Sequence, residues 1–285
     1  MVHTVGLVLH PRRDSTTAMT AILEWAEARK VTVLGLPDEV DRIACSAVAV
    51  DSHELVDRSA LLVSLGGDGT MLRSMRLMAG RSTPVLGVNL GRLGFLAEVD
   101  VDELPGALSA IDNHHYTVEP RMAVRTVLPD GRGVTAFNDI AFVREPGHGS
   151  AAVAISVQGH PFVRYAADAL IVATSTGSTA YSFSAGGPIV SPTVEGFLVV
   201  PAAAHSSFNR ALVLSAEEAI LLDILPSSGR LAVEVDGEVV GYVSPGDQVT
   251  LTAARAAAQV VRLGYTTFYE RARRKLQVNG SLEIE

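Results

Sequence analysis

The first 111 residues alternate short aliphatic runs with segments whose apolar residues recur at helical spacing. The aliphatic runs predict strands at 5–9, 31–36, 60–65 and 84–88. The amphipathic segments predict helices at 17–30, 71–78 and 101–111. Continuous aliphatic runs are typical of strands that are buried on both faces. Their alternation with helices across short connections predicts a mainly parallel sheet covered by helices.

The pattern changes near Tyr116. From 122 to 263 the apolar segments are short and β-branched, and turn signals such as Pro129-Asp130-Gly131 and Asp236-Gly237 separate them. This pattern is typical of an antiparallel β-sandwich, and Asp-Gly between two such segments predicts a hairpin. We therefore expect a Rossmann-like α/β domain over 1–118 and a sandwich-like, β-rich substrate-binding domain over 119–265. The C-terminal segment 266–285 is expected to return to the first domain, and its basic run 271–275 to form a solvated face or to pack on acidic surface.

Composition narrows the function classes. Of 285 residues, 48% are hydrophobic and 19% charged, which supplies a buried core and excludes a disordered chain. The net charge of −8 gives no field for nucleic acid, although backbone dipoles can still bind a small phosphorylated ligand. Cys45 is the one cysteine, which excludes an intrachain disulfide and makes a cysteine zinc site implausible. No stretch approaches the roughly 20 apolar residues that cross a bilayer, so we expect a cytoplasmic protein without a membrane partner.

A glycine-rich loop follows the strand at 60–65 and leads into a helix. It reads Gly66-Gly67-Asp68-Gly69-Thr70. Glycines with positive φ would let peptide N–H groups and the helix N-terminus bind phosphate, so Gly66, Gly67, Gly69 and Thr70 are candidate phosphate-binding residues. Asp68 suits either of two tasks, holding a divalent metal or accepting a proton from an attacking hydroxyl. The alternative is an ordinary tight turn in which Asp68 or Thr70 caps the helix.

A second polar loop follows the apolar run 169–173. Hydroxyls and glycines are dense from Thr174 to Gly187, and neutral donors of this kind suit a polyhydroxylated or phosphorylated ligand. Tyr181 offers a ring that would stack on a base or ribose. Taken by itself, the stretch also fits a solvated loop, and that interpretation is favoured without further motifs.

Further motifs occur at 87–96, at Asn138-Asp139 and at Gly186-Gly187-Pro188. With both loops, they make the chain similar to the bacterial NAD kinases, which phosphorylate the 2′-hydroxyl of the adenosine ribose of NAD. The resemblance implies an α/β domain, a β-rich domain and substrate between them, with ATP or polyphosphate as donor, Mg²⁺, and a homodimer or homotetramer. It implies that Asp68 is the catalytic base, and it leaves the metal ligands unassigned. The residues that it implies for NAD binding are Asp68, Gly69, Arg73, Asn138, Asp139, Asp168, Thr179, Ala180, Tyr181, Ser182, Phe183 and Ser184.

The chain also departs from the family pattern. Ser175 replaces a usual proline, Asp139 a glutamate and Glu238 a glutamine. Arg73 or Arg92 would help to neutralise phosphate charge. Two alternatives stay open: a lipid or other small-molecule kinase that shares the glycine loop, and a dinucleotide-binding paralogue without catalysis.

Overall fold

The structure is a computed structural model that describes residues 2–91, 94–205 and 208–278. Arg92, named above as a charge-neutralising candidate, lies outside the described residues. The chain divides into two compact units. The first runs to Pro120 and resumes at Ala258, and the second is Arg121–Ala257. None of the helices in the described ranges is long and apolar enough to cross a membrane.

The elements are numbered in chain order. The strands are β1 (Thr4–Leu9), β2 (Thr32–Gly35), β3 (Val48–Ala49), β4 (Leu61–Gly66), β5 (Pro84–Asn89), β6 (Val99–Asp100), β7 (Thr117–Val127), β8 (Gly133–Ala136), β9 (Asp139–Arg144), β10 (Ala151–Val157), β11 (His160–Ala167), β12 (Ala169–Thr174), β13 (Gly196–Ala202), β14 (Leu212–Ser215), β15 (Ile220–Ile224), β16 (Leu231–Val235), β17 (Glu238–Val243) and β18 (Gln248–Arg262). The helices are α1 (Thr16–Arg29), α2 (Pro37–Ile43), α3 (Ser52–Arg58), α4 (Asp68–Leu77), α5 (Leu104–Asp112), α6 (Tyr181–Ser184) and α7 (Phe268–Lys275).

The first unit is built on a parallel sheet in the order β5-β4-β1-β2-β3, and the end of β18 pairs with β5. Leu9 pairs with Leu65, and Gly66 with Asn89, so β1, β4 and β5 end side by side. The predicted strands are therefore confirmed, and the segments that follow them meet at the carboxyl edge. In open α/β sheets this edge is where ligands bind.

The second unit contains two antiparallel sheets. One has the order β14-β13-β12-β9-β16-β17, and the other joins β11, β10, β15 and the first part of β18. Phe142, Val172, Ile155 and Leu222 come from both sheets and share one buried core. The α/β fold followed by a β-rich fold is thus as the sequence predicted. The hairpin is also confirmed, because Asp236 and Gly237 link β16 to β17 with φ of 49° and 85°.

Helices α2 and α3 were not predicted. Pro37 directly follows the predicted strand at 31–36 and is the first residue of α2, a position where proline's missing N–H costs nothing. α3 begins after Asp51, whose carboxylate accepts the N–H of Glu54 at 2.8 Å. The first of these helices places Glu39, a buried carboxylate, near the carboxyl edge.

Candidate active site

The glycine loop joins β4 to α4 at the carboxyl edge. Gly67 precedes the first residue of α4, and no side chain caps this helix N-terminus. None of Gly66, Gly67 and Gly69 has a positive φ, so that part of the prediction is wrong. Gly66 is needed for a different reason: a Cβ there would lie 2.1 Å from Oγ1 of the buried Thr70. A Cβ on Gly69 would meet nothing within 4 Å, which leaves space beside the first turn for an anion.

Asp68 turns its carboxylate away from the N–H groups of its own helix. Its Oδ2 accepts the N–H of Phe95 at 3.0 Å and its Oδ1 the N–H of Leu96 at 3.0 Å. Lys275 at the end of α7 donates to Oδ2 at 3.1 Å. The capping interpretation is therefore wrong for Asp68. The side chain keeps 27% of its surface exposed, so a ligand can reach it.

Gly94 is part of the same arrangement. A Cβ at this position would lie 2.2 Å from Oδ1 of Asp68 and 2.8 Å from its Cγ. Only glycine therefore lets the carboxylate approach the loop closely enough to accept both N–H groups. The predicted motif at 87–96 thus has a local structural reason, which is to receive the Asp68 side chain.

Arg73 lies one turn further along α4 and is already bound by protein groups. Its Nη2 donates to the carbonyl of Leu9 at 2.9 Å and pairs with Glu39. Glu39 in turn accepts the N–H of Leu9 at 2.7 Å. The guanidinium is therefore fixed at the end of β1, with 36% of its side chain exposed. Glu39 was not a candidate residue, because the helix that carries it was missed.

A second group at this edge was also absent from the candidates. His10 follows β1, and its Nδ1 accepts the N–H groups of Arg12 and Arg13 at 3.1 and 3.0 Å. Burial lowers the pKa of His10, and Arg13, Arg12, Arg42 and Arg73 lower it further. We call these four residues the arginine cluster. The sequence signal was present in His10-Pro11-Arg12-Arg13, directly after a strand that ends beside the glycine loop.

Arg13 links the cluster to the glycine loop. Its Nη1 lies 3.7 Å from where a Cβ on Gly67 would be and 3.2 Å from that of Gly91. Within the described part of the chain this nitrogen is buried without a hydrogen-bond partner. A guanidinium N–H that lacks an acceptor, next to open peptide N–H groups, favours an anionic ligand.

In the second unit, Asn138 and Asp139 are held by the hairpin turn. The Asp236 carboxylate accepts the N–H of Asn138 at 2.7 Å and those of Phe137 and Asp139 at 3.3 Å. Asp139 is 3% exposed. Burial raises its pKa to about 7, with further increases from Asp236 and Glu234, while a hydrogen bond from the Tyr181 N–H opposes them. Asp236 thus has a structural task beyond the turn itself.

The second polar loop packs directly on this pair. Thr174 donates its hydroxyl to the carbonyl of Phe137 at 2.6 Å and accepts the N–H of Gly177 at 3.0 Å. A Cβ on Gly177 would lie 2.1 Å from the carbonyl oxygen of Asn138, so the approach requires glycine. Ser178 and Ser182 are fully buried, and the solvated-loop interpretation is therefore wrong.

The exposed part of this loop is aromatic. Residues 176–179 form a 3₁₀ turn and α6 follows, which leaves Tyr181 and Phe183 37% and 38% exposed. Thr179 and Ala180 are partly exposed and Ser184 is exposed. Burial raises the pKa of Tyr181, and the nearby carboxylates of Glu234, Asp139 and Asp168 raise it further. Asp168 pairs with Arg144 at the start of β12. The structure therefore brings the second-unit candidates, namely Asn138, Asp139, Asp168 and 179–184, into one neighbourhood.

Comparisons with known proteins indicate one family. The family model described as ATP-NAD kinase N-terminal domain matches residues 5–116, and the ATP-NAD kinase C-terminal domain model matches 137–263. The NAD kinase of Moorella thermoacetica is 36% identical over 97% of this chain and 90% of its own length. NAD kinase 1 of Streptomyces avermitilis is 36% identical over 96% of this chain and 87% of its own.

Solved structures give the same result. The yeast NADH kinase complexed with NADH superposes with a TM-score of 0.86 at 26% identity, covering 100% of this chain and 90% of that one. An NAD kinase from Archaeoglobus fulgidus in complex with ATP superposes with a TM-score of 0.76 at 27% identity, covering 97% and 100%. The resemblance inferred from the motifs is confirmed: the chain belongs to the ATP-NAD kinase family.

Proposed function

We propose that this protein is an NAD kinase that transfers the γ-phosphoryl group of ATP to the 2′-hydroxyl of the adenosine ribose of NAD. The observation that carries the proposal is the position of Asp68. It lies at the uncapped N-terminus of α4, on a glycine loop at the carboxyl edge of the sheet, in a chain that belongs to this family. A carboxylate and a phosphate-binding helix end in one place supply the two requirements of the reaction.

On the acceptor side, Asp68 is the general base. A ribose hydroxyl has a pKa far above 7, so its attack on phosphorus needs a group that takes its proton as the new bond forms. Such help is worth about 10²–10⁴ in rate. The partly exposed Asp68 carboxylate has the charge and the accessibility for this task.

On the donor side, the N–H groups at the start of α4 and the arginine cluster bind the phosphates of ATP. The N-terminus of α4 carries partial positive charge and the Arg13 guanidinium is a cation. Both lie beside the glycine loop, which favours the binding of a polyanion. Polyphosphate carries the same chemistry and is a second donor to test. Apart from Asp68, the glycine loop has no charged side chain. Most of the positive charge that faces the phosphates therefore comes from the arginine cluster.

Magnesium enters with the nucleotide in this proposal. In the described ranges, no group of three or more His, Cys, Asp or Glu residues is placed to hold a metal. Mg²⁺ commonly takes few protein ligands and binds through substrate phosphates, so the phosphates of ATP would supply most of its ligands. When bound, the ion would neutralise charge on the transferred phosphoryl group.

The second-unit neighbourhood binds NAD in this proposal. Tyr181 and Phe183 present exposed rings on which an adenine can stack, and the Asn138 and Asp139 backbone is held rigid beside them. Thr179, Ala180, Ser182 and Ser184 support or flank these rings. From the family resemblance we also propose a homodimer or homotetramer in the cytoplasm.

The test is an assay of the purified protein with NAD, ATP and Mg²⁺, with NADP measured by a NADP-specific enzymatic reaction. Asp68→Asn should lower kcat by about 10²–10⁴, while calorimetry still detects NAD binding. Asp41→Asn removes an exposed carboxylate from α2 and is the matched control, with unchanged kcat.

Two results contradict the proposal. Phosphorylation of a lipid with no NADP product would support the alternative kinase, and NAD binding without turnover would support the non-catalytic paralogue. Near-normal kcat in Asp68→Asn would keep the activity but remove Asp68 from the role of base.

A further inference from the structure

We propose that Lys275 is a positioning residue for catalysis, which orients the Asp68 carboxylate so that one chosen oxygen faces the acceptor hydroxyl. This inference rests on the proposed function, because it assigns a partner to the base. Lys275 lies 207 residues from Asp68 along the chain, and both belong to the first unit. No motif in the sequence connects them.

The contacts of the carboxylate distinguish its two oxygens. Oδ2 accepts the Phe95 N–H at 3.0 Å and the Lys275 ammonium at 3.1 Å, whereas Oδ1 accepts the Leu96 N–H at 3.0 Å. A carboxylate has about four lone-pair positions, two on each oxygen. Counting donors from the described residues, Oδ2 is therefore filled and Oδ1 keeps one position. That position on Oδ1 is the one assigned to the ribose hydroxyl.

Lys275 also holds the loop that donates to the base. Its Nζ lies 4.7 Å from the centre of the Phe95 ring, and the Phe268 ring of α7 lies 6.2 Å from the same ring. Phe95 is the residue whose N–H meets Oδ2. The lysine thus contacts the base and the donor of the base, which fixes both relative to α7.

Helix α7 is anchored firmly enough to act as the support. Thr267 and Glu270 form a capping box at its start, with the Thr267 N–H on Glu270 at 2.7 Å and the Glu270 N–H on Thr267 at 3.2 Å. The segment before it is held by Glu98, which accepts the N–H groups of Leu263 and Tyr265 at 3.1 and 2.9 Å. Glu98 lies just beyond the loop that binds Asp68, so the loop and the helix share one anchor.

Arg271 adds to this anchor from within the helix. It is 3% exposed and donates to the carbonyl of Thr266 at 2.6 Å. Burial lowers its pKa, as does Arg262, while Glu98, Glu119 and Asp68 oppose the shift. The basic run at 271–275 was expected to be a solvated face or to pack on acidic surface. Arg271 is buried near these carboxylates. Lys275 pairs with Asp68 while it is itself exposed, as are Arg273 and Arg274.

The reaction itself gives Lys275 a second effect. The hydroxyl proton moves to Oδ1, the ribose oxygen bonds to the γ-phosphorus, and the bond from that phosphorus to the β–γ bridging oxygen breaks as ADP leaves with its electron pair. Asp68 is then neutral, and the ammonium loses its ion-pair partner at the moment when phosphate charge arrives. A cation left next to the new ester favours the products of this step.

The experiment compares Lys275→Met, Lys275→Arg and the matched control Arg274→Met, a long basic side chain on the same turn of α7 that is exposed. Loss of a hydrogen bond to a charged group should lower kcat of Lys275→Met by about 10–100-fold, with the KM of NAD and of ATP within about two-fold. Lys275→Arg keeps a cationic donor and should recover most of the loss. Arg274→Met should match the wild type.

A double-variant cycle separates positioning from general stability. In an Asp68→Asn background, Lys275→Met should lower the residual rate by less than about two-fold, because the residue acts through Asp68. Wild-type kcat in Lys275→Met overturns the inference. An equal loss of kcat in Lys275→Arg, accompanied by a lower Tm, also overturns it, since that result indicates a structural role. If the wild-type protein forms no NADP at all, the proposed function fails instead.

Discussion

At the scale of single residues, Asp139 shows how burial creates a dependence on pH. Its pKa is about 7 in the folded chain, against 3.8 for the free group. Between these values the folded chain keeps a proton that the unfolded chain has released, so the free energy of unfolding falls as pH rises through this window. Above pH 7 the stability lost by burying the ionised carboxylate no longer changes with pH. The shift of about three pKa units corresponds to at most about 4 kcal/mol in the free energy of unfolding.

Asp139→Asn tests this cost directly. The amide oxygen can still accept the Tyr181 N–H, while the amide has no charge to bury beside Asp236 and Glu234. We expect the Tm of the variant to exceed that of the wild type near pH 8 and the difference to shrink towards about pH 4. Thermal unfolding followed by circular dichroism across this range measures it.

Asp130→Asn is the control, because the pKa of Asp130 is shifted in the opposite direction to that of Asp139. Asp130 is exposed, and its hydrogen bonds from Arg132 lower its pKa. Its replacement should therefore give no gain near neutral pH. Parallel Tm curves for Asp139→Asn and the wild type would show that the buried carboxyl is not the source of the dependence.

At single residues, the sequence predicted features that depend on neighbouring residues. It did not predict features that depend on residues distant in the chain. The order of strand, glycine loop and helix that carries Asp68 was predicted correctly, since the loop is contiguous, and the role of Asp68 as the base stays a prediction. Gly66 was expected to need a positive φ, but it is required by the Thr70 side chain. The burial of Asp139 depends on Asp236 and on the packed loop at 174–184, which no local pattern records.

At the scale of elements, hydrophobic periodicity predicted the central strands and the long helices but not the short ones. α2 and α3 have seven residues each, too few for a repeating apolar face. The consequence reaches the site, because α2 carries Glu39, which fixes Arg73. For the basic run in α7, a solvated face and packing on acidic surface were both left open, since the four basic side chains of 271–275 do not show in the sequence which of them is buried.

The anchor of α7 gives a prediction at this scale. Glu98 is 3% exposed in its side chain and accepts backbone N–H groups from Leu263, Tyr265 and Thr266. Glu98→Gln replaces one accepting oxygen with a donor that faces these N–H groups. We expect a loss of about 3 kcal/mol in stability and faster hydrogen exchange over 263–276, measured by mass spectrometry.

Glu218→Gln is the matched control. Glu218 also accepts a backbone N–H, from Ser215 at 2.7 Å, but it does so at an exposed turn of the second unit. Its replacement should leave exchange over 263–276 unchanged. If Glu98→Gln also leaves that exchange unchanged, the buried carboxylate does not anchor the helix.

At the scale of the whole molecule, the order of elements was predictable and the long-range pairs were not. Strand and helix alternation fixes a parallel sheet, and a parallel sheet gathers the ends of β1, β4 and β5 at one edge. The same rule indicates that segments after these strands share a site, which would have drawn attention to the arginine cluster. The pairing of Asp68 with Lys275 follows from no such rule.

Net charge is the remaining molecular property, and it makes the arginine cluster essential to the proposal. A chain with a charge of −8 repels ATP at long range, so binding depends on local groups. Arg13 has a buried guanidinium nitrogen close to Gly67, which follows β4, and to Gly91, which follows β5. Arg13→Gln should therefore raise the KM of ATP by about 10–100-fold and that of NAD by less than about two-fold.

The control for this change is Arg58→Gln, an exposed arginine on α3 that pairs with Glu54 within its own helix. It alters the net charge by the same amount, so any effect of overall charge appears in both variants. Steady-state kinetics at two salt concentrations distinguish the cases, because a lost phosphate contact also weakens the salt dependence of the ATP KM. Equal increases in the two variants, or equal effects on ATP and NAD, would show that the global field and not Arg13 governs donor binding.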